Sequence, residues 1–272
     1  SKLIVDLARP CAFCLKLMVH AEFMPIKEAF YRAQAGQYGG SPAQLLYNGP
    51  FVLASWTHGR DLMLVRNPAY WNNALTRLNG IHVGYITEDN RTRLNLFKDG
   101  RIALGRLGTE TVKEALEAGL RLRTFLSGGV SFMRFDLREG RATADINLRQ
   151  AITALMDGEE FVNRVIAVPG YKPAGSLFPT WLPEVGEIPA LRPDLATARR
   201  HLAAHNKTSG PGAALTLLTT SSPTGLRIAE YFQGLWKQNL GLDVKVDQQT
   251  FKQYLEKSRR GEFDVIVSSW YP

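Results

Sequence analysis

The chain has 272 residues, of which 45% are hydrophobic and 21% are charged, a balance typical of a soluble globular protein with one large or two ordinary domains. No apolar stretch approaches the roughly 20 residues that a membrane-spanning helix requires. The formal net charge is +8, but the basic residues are scattered, and the densest pairs, Arg199-Arg200 and Arg259-Arg260, lie on predicted helices with apolar faces. Because nucleic-acid binders concentrate Lys and Arg on one stripe, we expect a solvated basic surface and no nucleic-acid partner.

Hydrophobic periodicity and turn residues predict alternating strands and helices in the first half of the chain. The predicted elements are a strand at 3–7, a helix at 26–36, strands at 51–56 and 61–66, a strand at 81–85, helices at 90–98 and 111–118, and strands at 120–125 and 130–135. The turn at His58-Gly59 joins the strands on either side of it into a hairpin. Ser127-Gly128-Gly129 indicates a hinge or linker.

The order of predicted helices and strands changes in the second half of the chain and predicts an α/β layer. The predicted elements are helices at 148–156 and 159–166, a proline-rich loop, a helix from Pro193 to Leu202, a strand at 215–218, a helix from Ser222-Pro223 to Gly241, a strand at 242–246, a helix capped by Thr250, and a strand at 263–268. Asp145 or Asn147 is the expected N-cap of the first of these helices. The alternation of strands and helices from 213 to 268 predicts a largely parallel sheet.

The motifs of common enzymes are not found. The chain has no Gly-x-Ser-x-Gly, no His-Glu-x-x-His, no phosphate-binding loop and no Gly-x-Gly-x-x-Gly. Carboxylates such as Asp157 and Glu159 lie at a predicted helix junction, where capping explains them better than acid–base chemistry. We therefore predict no catalytic residue and no cofactor, and an enzyme with an unrecognised site stays open at this point.

The only cysteines, Cys11 and Cys14, have the spacing of a redox motif or of half a zinc site. There is no second cysteine pair to complete a metal shell. The segment reads as one apolar helical turn, which favours two small core residues and no bound metal. A disulfide formed in an oxidising compartment is the alternative.

One hairpin carries a specific pattern. Asn48-Gly49-Pro50-Phe51, then Trp56, then Arg66-Asn67-Pro68-Ala69-Tyr70-Trp71 resembles the corresponding segment of the family 5 bacterial solute-binding proteins, the oligopeptide, dipeptide and nickel receptors of ATP-binding-cassette importers. The chemistry fits a structural role, because Asn-Gly-Pro turns the chain and the aromatic pair covers the core. Further matches follow in family order at 96–102, 148–159, 162–179, 193–198, 235–242 and 261–270, with departures at Ala103 and Gly158.

The resemblance implies an α/β, two-lobed periplasmic-binding-protein-like fold of type II, oligopeptide-binding class, and an incomplete one. Residues 1–126 would form part of lobe I, 127–130 a hinge and 131–272 most of lobe II, with a second hinge beginning at 269–272. Because members of the family are about twice as long, we expect this chain to be a fragment or one piece of a cleaved protein.

The resemblance also implies a set of ligand-binding residues on the hinge strands and in one side-chain pocket. They are Ser127, Gly128, Gly129, Val130, Ser131, Phe132, Phe251, Ser269, Trp270 and Tyr271. Ordinary strand packing is the alternative for Phe132 and Phe251, and Ser269 and Tyr271 depart from the small residues of the family. In the family, an Asp that pairs with the ligand's amino terminus would follow Pro272, so we expect the 272 residues alone to bind peptide weakly.

The function implied is that of the extracytoplasmic substrate-binding component of an importer, which captures oligopeptides between two lobes. Its partners would be a short peptide and the membrane permease subunits, and the receptor would be a monomer. It would be periplasmic or on the cell surface, with its signal or lipoprotein segment not in this chain. The alternatives are a nickel, haem or sensory receptor of the same family, or an α/β enzyme with an unrecognised site.

Overall fold

A computed structural model of the chain describes residues 4–85, 87, 89–125, 127–178 and 188–271, and the chain divides into two compact units. The first is Ser1–Ile86 and the second is Thr87–Pro272. The Gly-Gly break and the change of element rhythm predict a lobe boundary at 127–130, which differs from this division of the chain and stays a prediction. Leu3 of the predicted first strand, residue 126 and Pro272 lie outside the described residues.

The first unit is built around an antiparallel sheet of three strands in the order β1-β2-β3. The strands are β1 (Phe51–Thr57), β2 (Asp61–Arg66) and β3 (Gly80–Val83), preceded by the short helices α1 (Cys14–Leu17) and α2 (Glu28–Ala33) and by 3-10 turns at Ala21–Phe23 and Pro42–Gln44; a further 3-10 turn lies at Asn73–Leu75. The predicted hairpin is confirmed, and Gly59 supplies the positive φ (+75°) that its turn requires.

Asn67 fixes the exit of this hairpin. It is buried, its side-chain amide donates to the carbonyl of Gly49 (2.8 Å), and its backbone N–H donates to the carbonyl of Pro50 (2.9 Å). Its side-chain oxygen accepts from the N–H of Ala69 (3.1 Å). The Asn-Gly-Pro and Asn-Pro-Ala segments of the motif are therefore bonded to each other, which gives them a structural role.

The second unit contains a sheet of four strands in the order β4-β7-β5-β6. The strands are β4 (Val130–Phe135), β5 (Ala214–Thr220), β6 (Asp243–Gln249) and β7 (Val265–Trp270). β5 is parallel to both β6 and β7, whereas β4 is antiparallel to β7. The largely parallel sheet predicted from the alternation of strands and helices is confirmed.

Helices accompany this sheet. They are α3 (Asn90–Lys98), α4 (Thr109–Glu117), α5 (Ile146–Thr153), α6 (Gly158–Glu160, continued by a π-helix at Phe161–Ile166), α7 (Leu195–Ser209), α8 (Pro223–Leu240) and α9 (Phe251–Arg260), with a 3-10 turn at Ala142–Ala144. The core of the unit forms where α8 and α5 cover β5 and β7. Trp236, Leu217 and Val265 are fully buried there, and burial of a side chain of this size contributes about 1.5–3 kcal/mol.

The predicted caps explain where these helices begin. The Ser222 hydroxyl accepts from the N–H of Gly225 (3.1 Å), and Pro223 opens α8. Asp145, not Asn147, caps α5, because its carboxylate accepts from the N–H of Asn147 (2.8 Å). The helix predicted to start at Pro193 starts at Leu195, since the Asp194 carboxylate is the cap, and it runs to Ser209.

Two predicted strands are wrong. Residues 4–7 and 120–125 are irregular, and Val5 and Leu7 are exposed. Within the described part of the chain, no strand pairs with either segment, and an alternating pattern forms a strand only where a neighbour supplies the backbone hydrogen bonds.

The prediction that Cys11 and Cys14 are core residues is also wrong. Both are half-buried, α1 has no buried residue, and the side chain of Leu15 is 84% exposed. The apolar turn therefore lies on the surface of the first unit. None of the helices in the described ranges has both the length and the hydrophobicity of a membrane span.

Buried carboxylates hold β4, β7 and β5 together at one end of the sheet. The N–H of Asp136 donates to the carbonyl of Asp264 (3.0 Å), and the carboxylate of Asp264 accepts from the N–H of Thr216 (2.8 Å). The guanidinium of Arg138 donates to the Asp136 carboxylate (2.6 and 3.0 Å). These hydrogen bonds from Arg138 hold the pKa of the Asp136 carboxyl below its ordinary value, against the opposing effect of burial.

We expect Asp136→Asn to lower the free energy of unfolding at neutral pH by about 1–2 kcal/mol, because a charged hydrogen bond is lost. The loss stays modest because solvent screens the largely exposed Arg138. The pKa of Asp136 is lowered on folding, so its contribution is present above its unfolded pKa of about 3.9 and is lost as the pH falls through the lower folded value. Urea denaturation at pH 7 and pH 3 should show the difference between parent and variant shrinking at pH 3. Glu139→Gln, at an exposed neighbour, is the control; an unchanged difference at pH 3 would contradict this assignment.

Candidate ligand-binding edge of the four-stranded sheet

One edge of the four-stranded sheet gathers nearly all of the predicted ligand-binding residues. The parallel strands β5, β6 and β7 end on the same side, and β4, being antiparallel, begins there. In open α/β sheets, ligands bind outside the carboxyl ends of the strands. We call this surface the carboxyl edge and define it by residues 127–131, 220–222, 249–251 and 268–271.

The pairing of β4 with β7 brings the two predicted hinge strands side by side. Val130 lies opposite Trp270, and Ser131 lies opposite Ser269. The hydroxyls of the two serines are 2.9 Å apart and share a hydrogen bond. Segments that are 138 residues apart in the sequence are thereby joined at the candidate site.

Gly129 makes room for an aromatic ring. A Cβ at this position would lie 2.5 Å from the ring of Tyr271, so no residue with a side chain fits without moving that ring. The N–H of Gly129 donates to the hydroxyl of Ser127 (3.2 Å), and Gly128 has φ +69°, which favours glycine. The ring of Tyr271 lies against one side of Gly129, but Ser127, Gly129 and Ser131 are exposed, so part of this main chain is open to solvent.

The aromatic residues of the edge are exposed. The exposed fractions are 67% for Trp270, 61% for Tyr271 and 56% for Phe251. Phe251 is the first residue of α9 and stacks on Tyr254, whose hydroxyl donates to the carbonyl of Val267 (2.8 Å). Phe251 follows β6, which is separated from β7 by β5. It therefore lies at the end of the carboxyl edge farthest from β4.

Two of the predicted ligand-binding residues have side chains that pack within the protein. The side chain of Val130 is buried, so only its main chain is available there. Phe132 is half-buried within β4, opposite Ser268. The ligand-binding role of all ten predicted residues stays a proposal.

The carboxyl edge is uncharged. Its residues include no Asp, Glu, Lys, Arg or His, and its polar groups are hydroxyls, one carboxamide, the indole N–H of Trp270 and main-chain amides and carbonyls. Within the described ranges, no three His, Cys, Asp or Glu side chains are grouped so that they could hold a metal ion. The arrangement suits main-chain hydrogen bonding and aromatic contact, not acid–base chemistry.

The structure adds hydroxyl and amide residues that the sequence patterns did not single out. Ser221 donates its N–H to the carbonyl of Gln249 (2.8 Å), and the hydroxyls of Thr220 and Ser222 are 2.9 Å apart. The sequence shows these residues as a run of Thr and Ser between a buried strand and Pro223. Only the parallel pairing of β5 with β6 places this run beside Gln249 and so at the carboxyl edge.

The structure also contains a polar cluster, away from the carboxyl edge, that the sequence analysis did not predict. His201 and His205 are one turn apart on α7 and face the start of α5. His205 Nδ1 lies 2.5 Å from the Asp145 carboxylate, and His201 Nδ1 lies 3.3 Å from the side-chain oxygen of Asn147. The bond from His205 holds the pKa of Asp145 below its ordinary value. The cluster therefore fastens two helices together.

Comparison with known proteins gives one consistent result. Residues 2–272 match the family model described as bacterial extracellular solute-binding proteins, family 5 Middle. The periplasmic murein peptide-binding protein MppA of Escherichia coli is 27% identical over 98% of this chain and 50% of its own length, and the oligopeptide-binding protein OppA of Bacillus subtilis is 25% identical over the same shares. The structure of Listeria monocytogenes OppA bound to peptide superposes with a TM-score of 0.87 at 24% identity, covering 97% of this chain and 54% of that one. The chain spans about half the length of the curated relatives it matches.

Gly128 and Gly129 should respond differently to substitution. We expect Gly128→Ala to cost about 1–2 kcal/mol, because a side chain is strained at its positive φ. Gly129 has no such φ, and its new methyl group meets the exposed ring of Tyr271 and the hydroxyl of Ser127, both of which can move. Urea denaturation should therefore show a clearly smaller loss for Gly129→Ala. Equal losses would mean that the backbone at 128–129 differs from the one described.

Proposed function

This chain belongs to the bacterial extracellular solute-binding proteins of family 5, and we propose that the complete protein containing it captures short peptides for an ATP-binding-cassette importer. The family and the α/β fold class predicted from the sequence are confirmed by the family match over residues 2–272 and by the superposition on OppA. The named relatives are receptors for murein peptide and oligopeptide, which supports a peptide as the ligand.

The observation that carries the proposal is the uncharged carboxyl edge, where Ser127, Gly129 and Ser131 are exposed. β4 is an outer strand of the sheet, so an extended peptide can pair as a further strand with the main chain that leads into it, and its main-chain hydrogen bonds then give affinity without regard to side chains. Gly128 and Gly129 allow close approach of a ligand backbone. An edge with no charged side chain imposes no preference for acidic or basic peptides.

We assign each part of the edge a role. Residues 127–131 and Ser269 offer main-chain and hydroxyl groups to the ligand backbone. Trp270 and Tyr271 contact ligand side chains through their exposed rings, and Phe251 lines a pocket at the far end. Val130 contributes through its main chain only, because its side chain is buried.

The remaining elements of the proposal follow from the family. The complete protein would lie outside the cytoplasmic membrane, in keeping with the extracellular description of the family, and would deliver its ligand to membrane permease subunits as a monomer. The family consists of solute-binding proteins, which return their ligand unchanged. The two lobes meeting at 127–130 are part of this proposal.

The proposal can be tested by calorimetry with the complete protein and a pool of tri- to pentapeptides. We expect saturable binding, and mass spectrometry of the released ligand should recover intact peptides. Hydrolysed peptides would identify an enzyme instead. Absence of binding to any peptide in the pool would contradict the proposed ligand class.

A single substitution tests the position of the site. We expect Gly129→Ala to weaken peptide binding about 10-fold, because its methyl group displaces Tyr271 and blocks one main-chain contact, at a cost of about 1–2 kcal/mol. Gly234→Ala is the matched control, since a Cβ there, within α8, meets nothing within 4 Å. If both variants bind as the parent does, the ligand lies elsewhere.

A further inference from the structure

The surface turn that carries both cysteines belongs to the first unit, whereas every residue that defines the carboxyl edge belongs to the second. Cys11 and Cys14 are half-buried free thiols in the first unit, next to the almost fully exposed Leu15. Because α1 buries none of its residues, packing in a core does not account for either cysteine.

The backbone places the two cysteines at a distance that a disulfide can span. The N–H of Cys14 donates to the carbonyl of Cys11 (3.3 Å), which closes a four-residue turn. The first and last Cα atoms of such a turn lie within about 7 Å of each other, and disulfides join Cα atoms roughly 4.4–6.8 Å apart. The backbone separation is therefore compatible with the bond.

A metal site is a poorer explanation of the same pair. Zinc in a structural site takes four ligands from Cys, His or acidic side chains. In the described part of the chain, these two cysteines belong to no group of three such residues. The pair offers two sulfurs and nothing that completes a coordination shell.

We propose that Cys11 and Cys14 form an intramolecular disulfide in the exported protein. The extracellular description of the family places the chain where disulfides form and persist. The oxidant is a disulfide-bearing thiol oxidant of that compartment. One cysteine thiolate attacks a sulfur of the oxidant, which forms a mixed disulfide and releases the first oxidant thiol; the second cysteine then attacks the mixed disulfide and releases the other. The chain loses two electrons and two protons, and the oxidant gains them.

The effect of this bond is local. Stabilisation by a disulfide grows with the length of the loop that it closes, and this loop is short. The bond fixes the turn that leads into α1, on a surface lined by exposed apolar residues such as Phe13 and Leu17. It makes the turn a reversible redox-sensitive site, independent of peptide capture at the carboxyl edge.

The test uses the complete protein exported to the periplasm of a bacterial host. Cells are quenched with acid, free thiols are alkylated, and the protein is digested with trypsin, which yields both cysteines in one peptide of residues 3–16 because Arg9 precedes Pro10. We expect this peptide to be unalkylated and lighter by two hydrogen atoms than the dithiol form. After reduction it should take up two alkyl groups.

Cysteine variants and reduction distinguish an intramolecular disulfide from free thiols and from disulfides to other chains. Cys11→Ser should leave Cys14 alkylated without prior reduction, and the double variant Cys11→Ser/Cys14→Ser should bind peptide as the parent does. Reduction should speed tryptic cleavage after Lys16 severalfold in the parent and leave its rate unchanged in the double variant. Two alkylated thiols without reduction, or disulfides to other chains, would overturn the proposal and leave the peptide-binding proposal untouched.

Discussion

The antiparallel pairing of β4 with β7 is the constraint on which the second unit depends. At one end the main chain of Asp136 is bonded to that of Asp264, whose carboxylate is bonded in turn to β5 through Thr216. At the other end the same register sets Ser131 opposite Ser269. A slip of one residue would turn every side chain to the opposite face of the sheet. The buried carboxylates therefore determine which groups meet at the carboxyl edge.

The separation of charge from the candidate site follows from the same layout. The ionised groups of β4 and β7 lie at the end held by Asp136, and the carboxyl edge holds hydroxyls, amides and aromatic rings. A chain with a net charge of +8 thus presents a neutral surface at this edge. The groups that this surface offers are main-chain amides and carbonyls, hydroxyls and the exposed rings of Trp270 and Tyr271, which are the groups that the proposed capture of peptides of varied sequence would use.

The two units differ in how they are stabilised. Among the described residues, every fully buried hydrophobic side chain lies in the second unit, starting with Leu94. The first unit depends on its hairpin ladder and on the hydrogen bonds of Asn67. Segments with few buried apolar contacts open at lower free energy than a core does. A covalent link at Cys11 and Cys14 would therefore restrain a turn that packing leaves free.

The sequence by itself determined the elements whose signals are local. The hairpin at 51–66 and the helix at 90–98 follow from alternation, turn glycines and caps that act within a few residues. The resemblance to the family began from the hairpin motif, which is also a local pattern. Only the tertiary structure decided that residues 120–125 form no strand, that the turn at Cys11 is exposed, and that Thr220 lies beside Gln249. Each of these outcomes depends on a partner far away in the sequence, because a strand needs a neighbour and burial needs a second surface.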